Sequence, residues 1–299
     1  MRPVAGCSLQ AQFDAMSDID NTTSHSGRRP GPWDLPPAEA APEPVRGRQA
    51  EPLEDKGQHP GWAIASTLLM AGFLWWITQS VVVAGAVLFG LFVHEYGHVL
   101  AMNKLGMGPA RIYIIPFLGG LAKAQREPKT EWHGVLVSLA GPAFGLIAMI
   151  PFVAAGLALG SPEWLMGAFF IAMINLVNLL PAPPLDGSKA LGPVLARIHP
   201  MLEKAAMVAV GVVVVAWGVS NGSYILAAFL SLALIGHLRR GAWRPEGREL
   251  TGREATMSVG LFVVTALACA GVALAALLPL AGSLEGAMAH GANFLRFGR

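Results

Sequence analysis

Seven apolar stretches dominate the chain beyond position 61, running roughly over 62–79, 82–103, 133–157, 163–181, 203–219, 223–238 and 256–281. A helix needs about 20 apolar residues to cross the hydrocarbon core of a bilayer. Runs of this length, one after another, leave one architecture to expect: an all-α polytopic membrane protein with about seven transmembrane helices. The composition agrees, since 54% hydrophobic and 13% charged residues lie outside the balance of soluble globular domains.

The net charge of +2 says little, because the charges are unevenly placed. Residues 1–60 hold six basic and nine acidic side chains, out of 40 charged residues in all. That segment is rich in Pro, Gly, Ser, Asp and Arg and reads as a disordered cytoplasmic tail. It has no basic stretch followed by an apolar core, so it does not read as a signal peptide. The two cysteines, Cys7 and Cys269, exclude a disulfide framework. No basic stripe interleaved with aromatics suggests nucleic acid. The expected division is a tail at 1–60, a core at 61–200, further transmembrane helices at 201–282 and a short tail at 283–299. Oligomeric state is open.

Lys and Arg placement sets an orientation. The loops 104–132, 182–202 and 239–255 carry Lys104, Arg111, Lys123, Arg126, Lys129, Lys189, Arg197, Arg239, Arg240, Arg244, Arg248 and Arg253, whereas the turns at 79–81, 158–162 and 220–222 carry none. The N-terminus and the three basic loops are therefore expected on the cytoplasmic side. Within loop 104–132, β-prone Ala110–Ile115 and Leu121–Ala124 flank Gly119-Gly120, which predicts a hairpin turning on the two glycines at the membrane face. Its open edge either pairs with an extended peptide or only covers the site.

The second stretch contains His94-Glu95-Tyr96-Gly97-His98, an H-E-x-x-H pattern. On a helix His94 and His98 share a face and can grip one metal ion, with Glu95 beside it as a general base. Ionisable groups in a membrane helix are functional candidates by default. A hydrolytic zinc site usually has three protein ligands. Asp186 is the only Asp after position 55 and follows prolines 181, 183 and 184, which stop the fourth helix. The orientation brings it to the same side as the histidines. Asn175, one turn before Asn178, reads as an interhelical hydrogen-bonding residue, and Gly141 with Gly145 as a helix-packing pair. His133 and His237 read as interfacial. The amphipathic piece 189–198 reads as lying on the inner surface.

This pair of motifs, H-E-x-x-H in an early span and Asn178-x-x-Pro181-x-x-x-Leu185-Asp186-Gly187 closing a later one, resembles the site-2 protease family of intramembrane zinc metalloproteases. The resemblance covers roughly residues 62–200. It implies His94, His98 and Asp186 as ligands of one Zn²⁺ and Glu95 as the catalytic carboxylate. It further implies that Asn178 holds substrate or stabilises the transition state; the alternative is that Asn178 caps the broken helix. The run Pro116-Phe117-Leu118-Gly119-Gly120 is similar to a hairpin of that family, which makes Gly119 and Gly120 substrate-binding candidates. Many relatives carry Asn where Gly145 stands, a departure that bears on subgroup. The implied substrate is a transmembrane protein segment, and the implied setting is a bacterial inner membrane. Two rivals stand beside proteolysis: a membrane metal transporter using the same ligands, and an inactive protease-like scaffold.

Overall fold

The computed structural model describes residues 59–115, 119–240 and 247–282. Nearly all of the 1–60 segment and the whole of 283–299 lie outside these described residues. Eight helices and one hairpin follow in order: α1 Pro60–Thr78, α2 Val81–Lys104, β1 Arg111–Ile115, β2 Gly119–Lys123, α3 Glu131–Leu159, α4 Pro162–Asn178, α5 Asp186–Ile198, α6 Pro200–Ser220, α7 Tyr224–Arg240 and α8 Gly252–Ala281.

Local chemistry sets the boundaries. Pro60, Pro162 and Pro200 open their helices, where a missing amide hydrogen removes nothing. Ser80 and Thr130 cap α2 and α3 through their hydroxyls, and Thr251 with Glu254 forms a reciprocal capping box on α8. Such caps matter at a membrane surface, because an unpaired backbone group cannot be left in hydrocarbon.

All seven apolar stretches are helical, but among the described residues five helices are long and apolar enough to cross a membrane: α1, α2, α3, α6 and α8. The expected count of seven spans is not confirmed. Helices α4 and α7 have 17 residues each, about 25 Å at 1.5 Å per residue, against a core of about 30 Å. The shortness of α4 follows from its place. It lies at the centre, packed on α2, α3 and α8, and ends where the proline run begins. Ala168, Phe169, Ile171 and Ala172 of α4 join Ala86, Met149, Ala273 and Ala276 in the main buried cluster. Small residues let the backbones approach: a side chain at Gly90 would strike Ile171, and one at Gly167 would strike Ala86. Large apolar side chains on the outer surfaces, among them Trp76, Ile150, Val213 and Leu267, are exposed, as a lipid-facing surface requires.

Helix α8 thus belongs to the core, whereas α6 and α7 pack on each other and join the rest mainly through α5. Helix α5 is the amphipathic piece expected beside the membrane surface.

The three basic loops meet at one end. Glu131 N donates to Arg248 O (3.1 Å), Glu131 Oε2 accepts from Leu250 N (2.9 Å), and Arg197 Nη1 donates to Leu250 O (2.7 Å). At the other end Ser80 Oγ donates to Glu163 Oε2 (3.2 Å), joining the turns that carry no Lys or Arg.

The hairpin is present, but it does not turn on the two glycines. Ile115 pairs with Gly119 and Ile114 with Gly120, so both glycines belong to β2. The connection, 116–118, lies outside the described residues. Gly119 has φ 111°, which a side chain would strain. Gly120 is required by its neighbour in the site.

Candidate metal centre

His94 and His98 lie one turn apart on α2, which packs against α3 and α4 and buries both rings. Asp186 is the first residue of α5. It reaches them because Pro181, Pro183 and Pro184 end α4 and the chain doubles back at Gly187, where a side chain would meet the carbonyls of Leu179 and Leu180. His94 Nε2 is 3.1 Å from Asp186 Oδ2, His98 Nε2 is 3.3 Å from the same oxygen, and the two Nε2 atoms are 3.1 Å apart. Among the described residues this is the one group of three metal-capable side chains.

The far side of each ring fixes which nitrogen faces inward. Asn175 Nδ2 donates to Ile171 O (3.0 Å), so Asn175 Oδ1 is left to accept from His94 Nδ1 at 2.7 Å. His98 Nδ1 donates to Val137 O at 2.8 Å. Both partners only accept, so both Nδ1 atoms carry the proton and both Nε2 atoms offer lone pairs. Two such nitrogens and a carboxylate oxygen in mutual contact repel one another unless a cation lies between them. Tetrahedral zinc with bonds of about 2.0–2.1 Å separates its ligands by about 3.3–3.4 Å, close to the triangle seen here. The donor set therefore fits a zinc ion, with one side left open.

Glycines keep the centre this tight. A side chain at Gly141 of α3 would strike the Nε2 atoms of both histidines, and one at Gly145 would strike the Asn175 amide. The space beside Gly145 is occupied by Asn175 from α4. Gly97 of α2 lies against Ala140 O and Phe144 of α3.

Glu95 is buried beside the triangle. Strand β2 holds it there: the Ala122 amide hydrogen-bonds its carboxylate, and a side chain at Gly120 would run into it, with Oε1 only 3.1 Å from the added carbon. A cavity of about 270 Å³ joins the three ligands, Glu95, Gly120, Asn178 and Lys189, and Phe229 of α7 also lines it. Gly119 does not line this cavity and instead lies over Leu91. His133 and His237 stand apart from the cluster.

Comparison with known proteins finds a match to peptidase family M50 over residues 82–163. One relative is "Putative zinc metalloprotease sll0528" of Synechocystis, 32% identical over 123 residues, covering 39% of this chain and 32% of that protein. Another is "Putative zinc metalloprotease Rip3" of Mycobacterium tuberculosis, 28% identical over 203 residues, covering 61% of this chain and 48% of that protein. The chain therefore spans about a third to a half of the length of these relatives. No solved structure matches.

The matched segment spans α2, the hairpin and α3, and so includes both histidines, Glu95 and Gly141, whereas Asn175 and Asp186 lie beyond it. Reading the sequence missed three features of the site: the Val137 carbonyl as partner of His98, Gly120 as the residue that admits Glu95, and Phe229 in the cavity wall. Asn175 carried a usable signal, a buried amide in an apolar helix. The Val137 carbonyl and Phe229 carried none, because a carbonyl and a phenylalanine look the same in a lipid-facing or packing role; Gly120 stood out only as part of the expected hairpin.

Proposed function

We propose that the protein is an intramembrane zinc metalloprotease of the site-2 type, hydrolysing a peptide bond within or near the transmembrane segment of a membrane-protein substrate. The observation that carries this reading is the contact of His94, His98 and Asp186 beside Glu95, on a helix apolar enough to span a bilayer. Zinc bound by these three residues would supply Lewis acidity towards water and towards a carbonyl oxygen. Glu95 then takes a proton from the attacking water at its carboxylate and returns it to the leaving amine. Its burial against Gly120 keeps the carboxylate directed at the centre. Asn178, at the end of α4, lines the same cavity, which supports a role in holding the substrate backbone. The substrate segment has to unwind first, since a helix encloses its own peptide bonds.

The basic loops support an orientation with the N-terminus and the site towards the cytoplasm. His94 then lies about 15 Å along α2 from Lys104, buried but nearer the inner face. A bacterial inner membrane is the setting this reading implies. A metal transporter needs further ionisable groups along a path, and the described residues hold no second cluster of three. The test is Glu95→Gln in purified protein: zinc content stays at one per chain while cleavage of membrane peptides falls by at least about 10³-fold, a catalytic carboxylate's share. Full cleavage by the variant would sink the mechanism.

A further inference from the structure

A second cavity, about 320 Å³, lies between α1, α2 and β1 and meets the metal cavity at two residues, Glu95 and Gly120. Its walls are Leu88, Leu91 and Phe92 of α2, Ile112 and Ile114 of β1 and Thr67 of α1. Thr67 adds little polarity, because its hydroxyl donates to Ala63 O (2.7 Å) within its own helix. Ile112 and Ile114 of β1 line this cavity, Leu121 and Ala122 of β2 line the metal cavity, and Gly120 lines both. An apolar chamber and a more polar one thus meet beside the hairpin, with the catalytic carboxylate at their junction.

The chamber is lined almost wholly by apolar side chains, so what it takes from an unwound segment is an apolar side chain. We infer that this chamber is the specificity pocket of the site: it takes one bulky apolar side chain, of the Leu, Ile, Met or Phe class, from a residue flanking the scissile bond. The inference rests on the proteolytic reading. It adds a sequence preference, which neither the ligand set nor the membrane setting requires.

Gly85 and Leu88 allow the pocket to be resized. Nothing lies within 4 Å of a side-chain carbon built at Gly85, so Gly85→Leu enters free space and shrinks the chamber; Leu88→Ala enlarges it. Wild type and both variants are incubated in detergent with a pooled library of synthetic transmembrane peptides, and cut sites are read by mass spectrometry. Zinc content and melting temperature verify folding. Wild type is expected to favour a bulky apolar residue over Ala at one position flanking the cut by at least about tenfold, as apolar pockets do. Gly85→Leu should erase that preference, and Leu88→Ala should shift it towards Phe and Trp. Identical profiles for all three proteins overturn the pocket and leave proteolysis standing. Should a variant not fold, a wild-type profile with no bulky preference overturns the pocket by itself. A wild-type protein that cuts nothing overturns the proteolytic reading and the pocket with it.

Discussion

Asn175 shows how much one side chain decides at this centre. Its amide is locked by Ile171 O and in turn locks the ring of His94. Asn175→Ala removes the acceptor and leaves a buried N–H unpaired, which frees the ring to turn or to change tautomer. Loss of such an outer partner weakens metal binding by about 10–100-fold. Competition with a chromophoric zinc chelator should show that loss, and unchanged affinity would remove Asn175 from the site. Gly141 acts in the opposite sense, by absence. It was legible in the sequence only as half of a packing pair, and the reason is physical: a glycine's signal is the space it leaves, and only the neighbours' positions say who uses that space.

At the scale of elements, the geometry depends on how closely α2 and α4 approach. Their contact passes through Gly90, where an added carbon would lie 2.6 Å from Ile171 Cγ1. Gly90→Val overpacks this contact at about 1–3 kcal/mol and separates the helix bearing the histidines from the one bearing Asn175. The melting temperature in detergent should fall, and zinc affinity with it. Gly72→Ala in α1 meets nothing within 4 Å and should leave melting unchanged. Equal melting of both variants would refute the packing account. The hairpin illustrates what sequence reading can and cannot do here. β-prone residues around two glycines predicted it, but its register moved the glycines from the turn into β2, where Gly120 serves Glu95 rather than chain reversal. Propensity locates strands; which face each residue presents comes from pairing.

For the whole molecule, two properties can be measured. If the basic loops are cytoplasmic, a cysteine placed at Ser161 is labelled from outside by a membrane-impermeant maleimide. One placed at Glu127 is labelled only after permeabilisation, and the reverse pattern would invert the orientation. Removal of zinc should also destabilise the fold, because a ligand bound only to the native state stabilises it by mass action. The three ligands join α2 to α5, so chelation is expected to lower the melting temperature by several degrees, and stoichiometric zinc to restore it; no shift in calorimetry would show that the centre stands without its ion.

Hydropathy alone determined that the chain is a helical membrane protein, because lipid accepts few backbone structures and apolar length is written directly in the residues. Motif chemistry alone nominated His94, Glu95, His98 and Asp186, because metal ligands are few in kind and rare in an apolar helix. The tertiary structure decided the rest. It made α4 a short central helix, brought α8 into the core, supplied Asn175 and the Val137 carbonyl as partners of the two histidines, and set Gly120 against Glu95. These are relations between residues distant in the chain. They depend on which side chains meet and on hydrogen-bond direction once the helices have packed, and neither is written in the one-dimensional sequence.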